Sequence, residues 1–211
     1  NNIINLISMN KVPVNDICQL DDGRILLNTW GSGTKTLELD NFNIISRDLY
    51  PKIKNDYGPL SPVWCSHQHS KTKKVYIGAQ AGWLGIYDPF TNQTTQLLDS
   101  AFDNRTIRCI AELSNGELVF ATQAGRLVKL RNNIFETIFD CETVIYSLVA
   151  DKQDNVWVGT HNKGIFLVDA SNGKQLLQIQ NSGPVGKTIS ANIVTHLQLY
   201  KDSLLLAANG K

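Results

Sequence analysis

The sequence offers few residues whose types and spacing could support catalysis or metal binding. His67 and His69 are two residues apart, and on a β-strand they would share a face, as two metal ligands do. No third ligand is evident, whereas a closed zinc site needs four. Histidines that are hydrogen-bonded or that line a channel are therefore the better interpretation. The sequence also has no GxSxG, HExxH or phosphate-loop pattern, so we expect neither a metal site nor a cofactor.

Acidic residues are the remaining catalytic candidates. A glycosidase needs only two carboxylates at a suitable separation. Six acidic residues lie in or near predicted loops, namely Asp48, Asp56, Asp99, Asp103, Asp140 and Glu142. Acidic loop residues are commonplace in proteins of every kind, so the prediction is a non-catalytic chain, with a propeller lyase or glycosidase as an alternative.

Residues suited to binding are easier to find. Trp30 and Trp83 fall in predicted loops, where an indole ring can stack on the apolar face of a sugar; the alternative is a ring that covers the end of a hydrophobic core. His161, next to Asn162 and Lys163, can hydrogen-bond a ligand, and an arginine can pair with a carboxylate or sulfate through its planar fork. The ligand-binding candidates are Trp30, Tyr57, Trp83, Arg105 and His161. Tyr57, Arg105 and His161 can equally be ordinary surface residues.

Composition excludes several classes of protein. Twenty basic and 19 acidic residues leave a formal charge of +1 without a basic block, so a nucleic-acid partner is not expected. No apolar stretch approaches the roughly 20 residues that cross a bilayer. The four cysteines have no paired CxxC spacing, which favours free structural thiols. The chain opens at Asn1 without a methionine, and we expect it to be a piece of something longer.

One short pattern recurs five times and predicts the architecture. Apolar runs that end in a small residue and a glycine-containing turn return every 38 to 50 residues, at 25–29, 75–79, 118–122, 156–160 and 204–208. Each run is preceded by another β-prone segment and a polar turn, at 14–20, 63–69, 107–113, 145–150 and 193–199. Third strands are predicted at 84–87, 127–130 and 165–168, and fourth strands at 93–98, 134–139 and 174–179. Four antiparallel strands per unit is typical of a β-propeller blade.

The predicted fold is thus an all-β propeller segment over residues 1–211, with four blades and the start of a fifth. The units run over 11–49, 60–98, 104–139, 143–180 and 190–211, and the last of them is incomplete. A parallel solenoid is the alternative, but its repeats would be shorter and have fewer hairpins.

When the five units are aligned, two positions hold mostly small residues, which indicates that these positions are buried between neighbouring sheets. Each such position is called a column. The first holds Asp16, Cys65, Cys109, Ser147 and Thr195, and the second holds Gly78, Ala121, Gly159 and Ala207, with Asn28 as the exception. The second strands are apolar at nearly every position, as expected for strands that are buried on both faces.

Strand direction assigns each loop to a face. If the first strand of a blade runs from top to bottom, the loops from second to third strand and the connections between blades lie on the top face. The bottom face then carries short polar turns. The top face is where we expect function, because long varied loops on a rigid scaffold usually carry it. Trp64 lies in a first strand and is expected to pack, although first strands line the central channel.

Residues 151–166, DKQDNVWVGTHNKGIF, resemble the two-component regulator propeller repeat. That repeat has an acidic-Gly/Asn turn, then an apolar-Trp-apolar-Gly-Thr strand and a Gly-led strand, and Trp157 matches its tryptophan. Residues 190–197 resemble the entry into a first strand, and residues 78–89 match the later half of a repeat. The first and third units lack the tryptophan, and Asn28 replaces the glycine.

The resemblance implies a function. Proteins of this family are typically periplasmic sensor regions of hybrid histidine kinases, in which two seven-bladed propellers precede a β-sandwich, a membrane helix and the kinase. Many detect oligosaccharides and switch on genes for polysaccharide use. We therefore expect an oligosaccharide ligand, the remaining blades of the receptor as partners, a homodimer as an open possibility and no membrane contact by this segment. The alternative from another class is a protein-binding scaffold propeller.

Overall fold

The computed structural model describes residues 12–40, 43–48, 62–184, 188–201 and 204–209. Within them the strands pair antiparallel, each with the next along the chain, into four sheets of four strands and one of two. The first strands of successive sheets contact one another in order. The sheets are therefore arranged as the blades of a β-propeller, as the sequence predicts, with the first strand of every blade innermost.

The strands, numbered in chain order, follow the predicted units closely. Blade 1 consists of β1 Val14–Gln19, β2 Ile25–Thr29, β3 Thr34–Asp40 and β4 Asn43–Asp48. Blade 2 consists of β5 Val63–Gln68, β6 Val75–Ala79, β7 Trp83–Asp88 and β8 Gln93–Leu98. Blade 3 consists of β9 Ile107–Glu112, β10 Leu118–Thr122, β11 Arg126–Arg131 and β12 Ile134–Asp140. Blade 4 consists of β13 Ile145–Ala150, β14 Asn155–Thr160, β15 Ile165–Asp169 and β16 Gln175–Ile179, and blade 5 of β17 Val194–Tyr200 and β18 Leu204–Asn209.

The hydrophobic core is divided into layers, one between each pair of neighbouring blades. Leu20 and Leu26 of blade 1 pack with Val75, Ile77 and Tyr87 of blade 2. Equivalent layers join blades 2 and 3, blades 3 and 4, and blades 4 and 5. The second strands contribute to the layers on both sides, which explains why every residue of β10 is buried.

Small residues are required where neighbouring sheets approach most closely. A Cβ at Gly78 would lie 2.6 Å from Sγ of Cys65 and 2.7 Å from Cγ2 of Ile107 in the next blade. A Cβ at Gly159 would lie 3.0 Å from Val194 of blade 5. These contacts confirm the interpretation of the glycine column as a packing position.

Asn28 occupies the glycine column in blade 1 and forms a buried hydrogen-bond network there. Its Nδ2 donates to Oδ2 of Asp16 (2.9 Å) and to Oγ of Ser66 (2.8 Å). Its Oδ1 accepts from Oγ1 of Thr34 (2.8 Å). Because every polar atom of this buried amide has a partner, the larger residue is tolerated.

The fifth unit is shifted by one residue from its predicted alignment. Pairing of β17 with β18 places His196 opposite Ala208, as Ser147 lies opposite Gly159 in blade 4. The column members are therefore His196 and Ala208 instead of Thr195 and Ala207. Three consecutive leucines at 204–206 look alike in either alignment, so the register of this strand could not be predicted.

Two short 3₁₀ segments, Gln80–Gly82 and Ser100–Phe102, lie in connections of the top face. No helix in the described ranges is long and apolar enough to span a membrane.

Candidate ligand-binding site at the top of the central channel

Every first strand carries the same irregularity near its beginning. The register between the first and second strands shifts after the first residue of the first strand, in all five blades. A β-bulge of this kind leaves one residue outside the ladder and re-aims its side chain. The residues concerned, here called the bulge residues, are Asn15, Trp64, Arg108, Tyr146 and Thr195. They lie at the top end of the innermost strands, around the channel.

Three bulge residues and two loop residues form a continuous row of rings with one cation. The rings of Trp30 and Trp64 meet edge to face, with centroids 5.0 Å apart. The guanidinium carbon of Arg108 lies 4.1 Å from the ring centroid of Trp64 and 5.3 Å from that of Tyr146. Oη of Tyr146 lies 3.1 Å from Nδ1 of His161, and their rings are 5.7 Å apart. We call Trp30, Trp64, Arg108, Tyr146 and His161 the arc.

The two ends of the arc lie on loops of the same construction. Oγ1 of Thr29 donates to the carbonyl oxygen of Gly33 (2.7 Å), and Oγ1 of Thr160 donates to that of Gly164 (2.8 Å). Each loop closes on a glycine with positive φ, 68° at Gly33 and 74° at Gly164. A side chain at Gly164 would in addition collide with the carbonyl oxygen of Ile179. The loops are therefore fixed in shape by sequence.

A backbone hydrogen bond ties each of these loops to its own blade. The N–H of Trp30 donates to the carbonyl oxygen of Pro13 and that of His161 to Val144, both at 2.9 Å. Gln80 and Gln123 make the same bond in blades 2 and 3, at 3.1 and 2.8 Å. Trp30 and His161 thus occupy one structural position, and the glutamines occupy it in the blades between.

A cleft of about 290 Å³ borders the arc on the top face. Its lining includes Gln80, Ala81, Arg105, Thr106, Gln123 and Val144. All of these lie in loops from second to third strand or in connections between blades, which the sequence assigned to the top face. Thr106 and Val144 each precede an arc residue by two positions, so the cleft and the arc adjoin.

Several donors of this face have no acceptor. Nε1 of Trp64 is buried and has no hydrogen-bond partner among the residues that the structure describes. No hydrogen bond or ion pair within the described residues reaches the guanidinium of Arg105 or Arg108. The nearby carboxylates are engaged elsewhere: Asp99 accepts from the N–H of Ala101. Asp103 and Asp140 pair with Arg126, and Glu142 pairs with Lys163.

The structure brings some of the predicted binding residues together and separates others. Trp30 and His161 are the two ends of the arc, and Arg105 lines the adjoining cleft. Trp83 was predicted in a loop but is the first residue of β7, where it is partly buried against the core layer of blades 1 and 2. This is the core-covering role, because its indole fills the end of that layer. Tyr57 lies outside the described residues.

Sequence reasoning missed Arg108 and Tyr146 and assigned Trp64 to packing. Trp64 is half-buried, and its ring also contacts Trp30 and Arg108. A signal was present, because each bulge residue follows the Val or Ile that opens its first strand. The five bulge residues differ so much in chemistry that the sequence alignment of the repeats did not show them to be one structural position.

His67 and His69 are satisfied by protein groups at the bottom of blade 2. His69 donates from Nε2 to the carbonyl oxygen of Gly116 (3.0 Å), and its Nδ1 accepts from the N–H groups of Lys71 and Thr72. Nε2 of His67 lies 2.8 Å from Oε2 of Glu112. Burial raises the pKa of Glu112, but hydrogen bonds from Ser70 and His67 outweigh it and leave that pKa below its usual value. Among the described residues no group of three His, Cys, Asp or Glu could hold a metal.

The cysteines are free thiols in the described structure. Burial raises the pKa of Cys109 to about 12 and that of Cys141 to about 11. Thiols with such pKa values are poor nucleophiles at neutral pH, which agrees with a structural role.

Comparison with known proteins supports the fold and one repeat. Residues 141–162 match the family model of the two component regulator propeller. The extracellular domain of a putative hybrid two component system from B. thetaiotaomicron has a TM-score of 0.68 at 19% identity, over 93% of this chain and 25% of that one. The chain thus spans about a quarter of that domain's length. No curated protein matches the chain.

Propellers with other roles are equally similar in shape. A chain of the Mitotic Checkpoint Complex has a TM-score of 0.72 at 11% identity, over 93% of this chain and 57% of that one. Virginiamycin B lyase from Staphylococcus aureus has a TM-score of 0.67 at 14% identity, over 86% of this chain and 60% of that one. At such identities the likeness shows the fold alone. The resemblance inferred from sequence is confirmed, because residues 141–162, which include strands β13 and β14 of blade 4, match the family model of the two component regulator propeller.

Proposed function

We propose that this chain is a non-catalytic, ligand-sensing part of an extracytoplasmic two-component receptor, and that an oligosaccharide is bound at the arc. The regulator-propeller match and the likeness to an extracellular two-component domain support the receptor assignment. The single observation that carries the binding site is the arc itself, with four rings and a cation from neighbouring blades on one face.

The arc suits a sugar for a physical reason. Sugar rings have apolar faces and polar edges, and an aromatic side chain can stack on the first while neighbouring donors bind the second. Trp30 is half exposed at the end of the row, so its ring is available without rearrangement. The cleft beside the arc extends the surface toward Arg105. An extended oligosaccharide would contact several blades at once.

In this proposal the signal arises from ligand binding alone, with no chemical reaction of the ligand. A ligand shifts a conformational equilibrium only by the difference in its affinity for the two states. Arc residues come from blades 1 to 4, so a ligand that spans the arc favours one relative placement of these blades. That placement would be passed to the rest of the receptor, and its readout is transcriptional control of polysaccharide use.

Calorimetric titration of the full-length protein with a panel of neutral and acidic oligosaccharides tests this function. We expect saturable binding that Trp30→Ala and Tyr146→Ala each weaken about three- to tenfold, as for the loss of one aromatic contact. Phe90→Ala is the matched control, because Phe90 is 80% exposed on a turn of the bottom face. Binding that is unchanged in both arc variants would reject the site, and turnover of any glycan would reject the non-catalytic assignment.

A further inference from the structure

The guanidinium of Arg108 contacts two aromatic rings, those of Trp64 and Tyr146. The distances of 4.1 Å to Trp64 and 5.3 Å to Tyr146 are within the range of cation–π contacts. A guanidinium has five N–H donors in a planar fork. Among the described residues none of these donors has a hydrogen-bond acceptor or an ion-pair partner. The cation thus contacts two rings while its donors stay unused.

A second donor next to it is also unused. The buried Nε1 of Trp64 has no partner among the described residues, and a buried donor without an acceptor is destabilising. At the other side, Oη of Tyr146 and Nδ1 of His161 share one hydrogen. In either tautomer of His161 that pair keeps another N–H or O–H free. The stack around Arg108 thus contains unused donors from three side chains, of which the Nε1 of Trp64 is buried.

The charge around Arg108 is also positive. Arg105 in the adjoining cleft is a second exposed cation without an ion pair in the described residues. The carboxylate of Asp16, on β1, accepts from the N–H of Ser66 (2.8 Å) and from Asn28 (2.9 Å), and so is bound to its own network. The other described carboxylates of this face pair with Arg126 and Lys163 or cap a turn. A positive site that lacks competing carboxylates favours an anion.

We propose that the arc recognises an anionic oxygen group of its ligand, a carboxylate or a sulfate ester, through the guanidinium of Arg108 held between Trp64 and Tyr146. This inference rests on the proposed function, because it names the ligand class of the same site. Both groups match the planar fork, which binds oxyanions with two parallel hydrogen bonds. An acidic sugar fits the arc with its ring on an indole and its charge on Arg108.

The indole ¹H–¹⁵N resonances of the four tryptophans report on this directly. The resonance of Trp64 is assigned by its loss in Trp64→Phe. The full-length protein is titrated with sodium glucuronate, with glucose 6-sulfate and, as the neutral control, with methyl glucoside. We expect the Trp64 resonance to move saturably with one or both anionic probes and to stay in place with methyl glucoside. The two anionic probes distinguish a carboxylate site from a sulfate site.

Charge variants make the test specific to Arg108. Arg108→Gln removes the fork, and we expect it to weaken the anionic probe about tenfold or more, as for a charge-assisted hydrogen bond. Lys74→Gln removes one positive charge from an exposed bottom turn and should leave the titration unchanged. Equal shifts with methyl glucoside and the anions, equal affinity in Arg108→Gln, or no response to either anion would each overturn the inference. Neutral oligosaccharide binding that remains sensitive to Trp30→Ala would then still support the proposed function.

Discussion

The bottom turns of the blades and the top-face donors of Trp64, Arg105 and Arg108 differ in how their polar groups are used. At the bottom, turn residues of one blade donate backbone N–H groups to a side chain of the next blade. These bonds run from Asp21 to Gln68 (2.8 Å), from Ser70 to Glu112 (2.8 Å) and from Ser114 to Asp154 (2.6 Å). At the top, the donors of Trp64, Arg105 and Arg108 have no acceptor in the described chain.

The difference separates polar residues that bind one another between blades from those that have no partner among the described residues. Histidines and a carboxylate near one another attract attention as catalytic groups, yet here they lie at the bottom and are bound to one another. The arc has no carboxylate and looks less like a catalytic centre, but its donors are the ones still free. The proposed site is therefore identified by unused hydrogen-bonding capacity and not by residue type.

Removal of Glu112 should produce the largest loss of stability. Glu112→Ala leaves the N–H and Oγ of Ser70 and Nε2 of His67 without their acceptor. We expect the free energy of unfolding to fall by about 2–3 kcal/mol, as for several orphaned donors, with ligand binding at the arc unchanged. Urea unfolding measures this, with Glu136→Ala on exposed β12 as a control within about 0.5 kcal/mol. If Glu112→Ala lowers the free energy of unfolding no more than Glu136→Ala does, the bottom hydrogen bonds do not stabilise the fold and the comparison is wrong.

Glu112 should also make the free energy of unfolding depend on pH in the acid range, with a smaller effect than its removal. The pKa of Glu112 in the folded protein lies below its ordinary value of 4.5, so Glu112 stabilises the fold above that pH. This contribution is lost as the pH falls from about 4.5 through the lowered pKa. Glu112→Gln keeps an acceptor, as Gln68 does in blade 2, but cannot titrate. Unfolding measured across this acid range should therefore fall less steeply in the variant, and parallel curves would contradict the assignment.

Substitutions in the arc should have the smallest effect on stability. A double-mutant cycle with Trp64→Leu and Arg108→Gln isolates the contact between the two side chains. We expect a coupling of about 0.5–1 kcal/mol, as for a partly exposed cation–π pair. Denaturant unfolding of the four proteins measures it. A coupling as large as the Glu112 effect would show that the arc is a structural element like the bottom turns, and the comparison would fail.

The blades were predictable from the sequence because their signals are repeated. Strands β5, β8 and β9 begin at the predicted residues, since turn chemistry and buried apolar runs agree there. Blade 5 was placed one residue off, because residues 204–206 are all leucine and carry no register. Periodic features average over five copies, whereas a single ambiguous copy has no such support.

The site was only half predictable. Trp30 and His161 were found because they lie in loops next to glycine turns. Arg108 and Tyr146 were missed because a bulge, not an alternation of polar and apolar residues, directs their side chains. The contacts of the arc also join residues of neighbouring blades, and such distances are set by packing between sheets. No local pattern encodes them.

The bulges have a consequence for how the top face of this propeller can vary. A bulge residue makes no ladder pair, while the residue before it is Val or Ile in every blade. This chain places Asn, Trp, Arg, Tyr and Thr at the five bulges. Asn15 and Thr195 hydrogen-bond backbone carbonyl groups of Val63 and Ala208, whereas Trp64, Arg108 and Tyr146 contact one another in the arc. Under the proposed function, these last three positions are the ones at which a substitution changes ligand contacts without removing a ladder pair. The paired strands keep the same backbone arrangement in every blade, while the side chain at the bulge differs from blade to blade at the top of the channel.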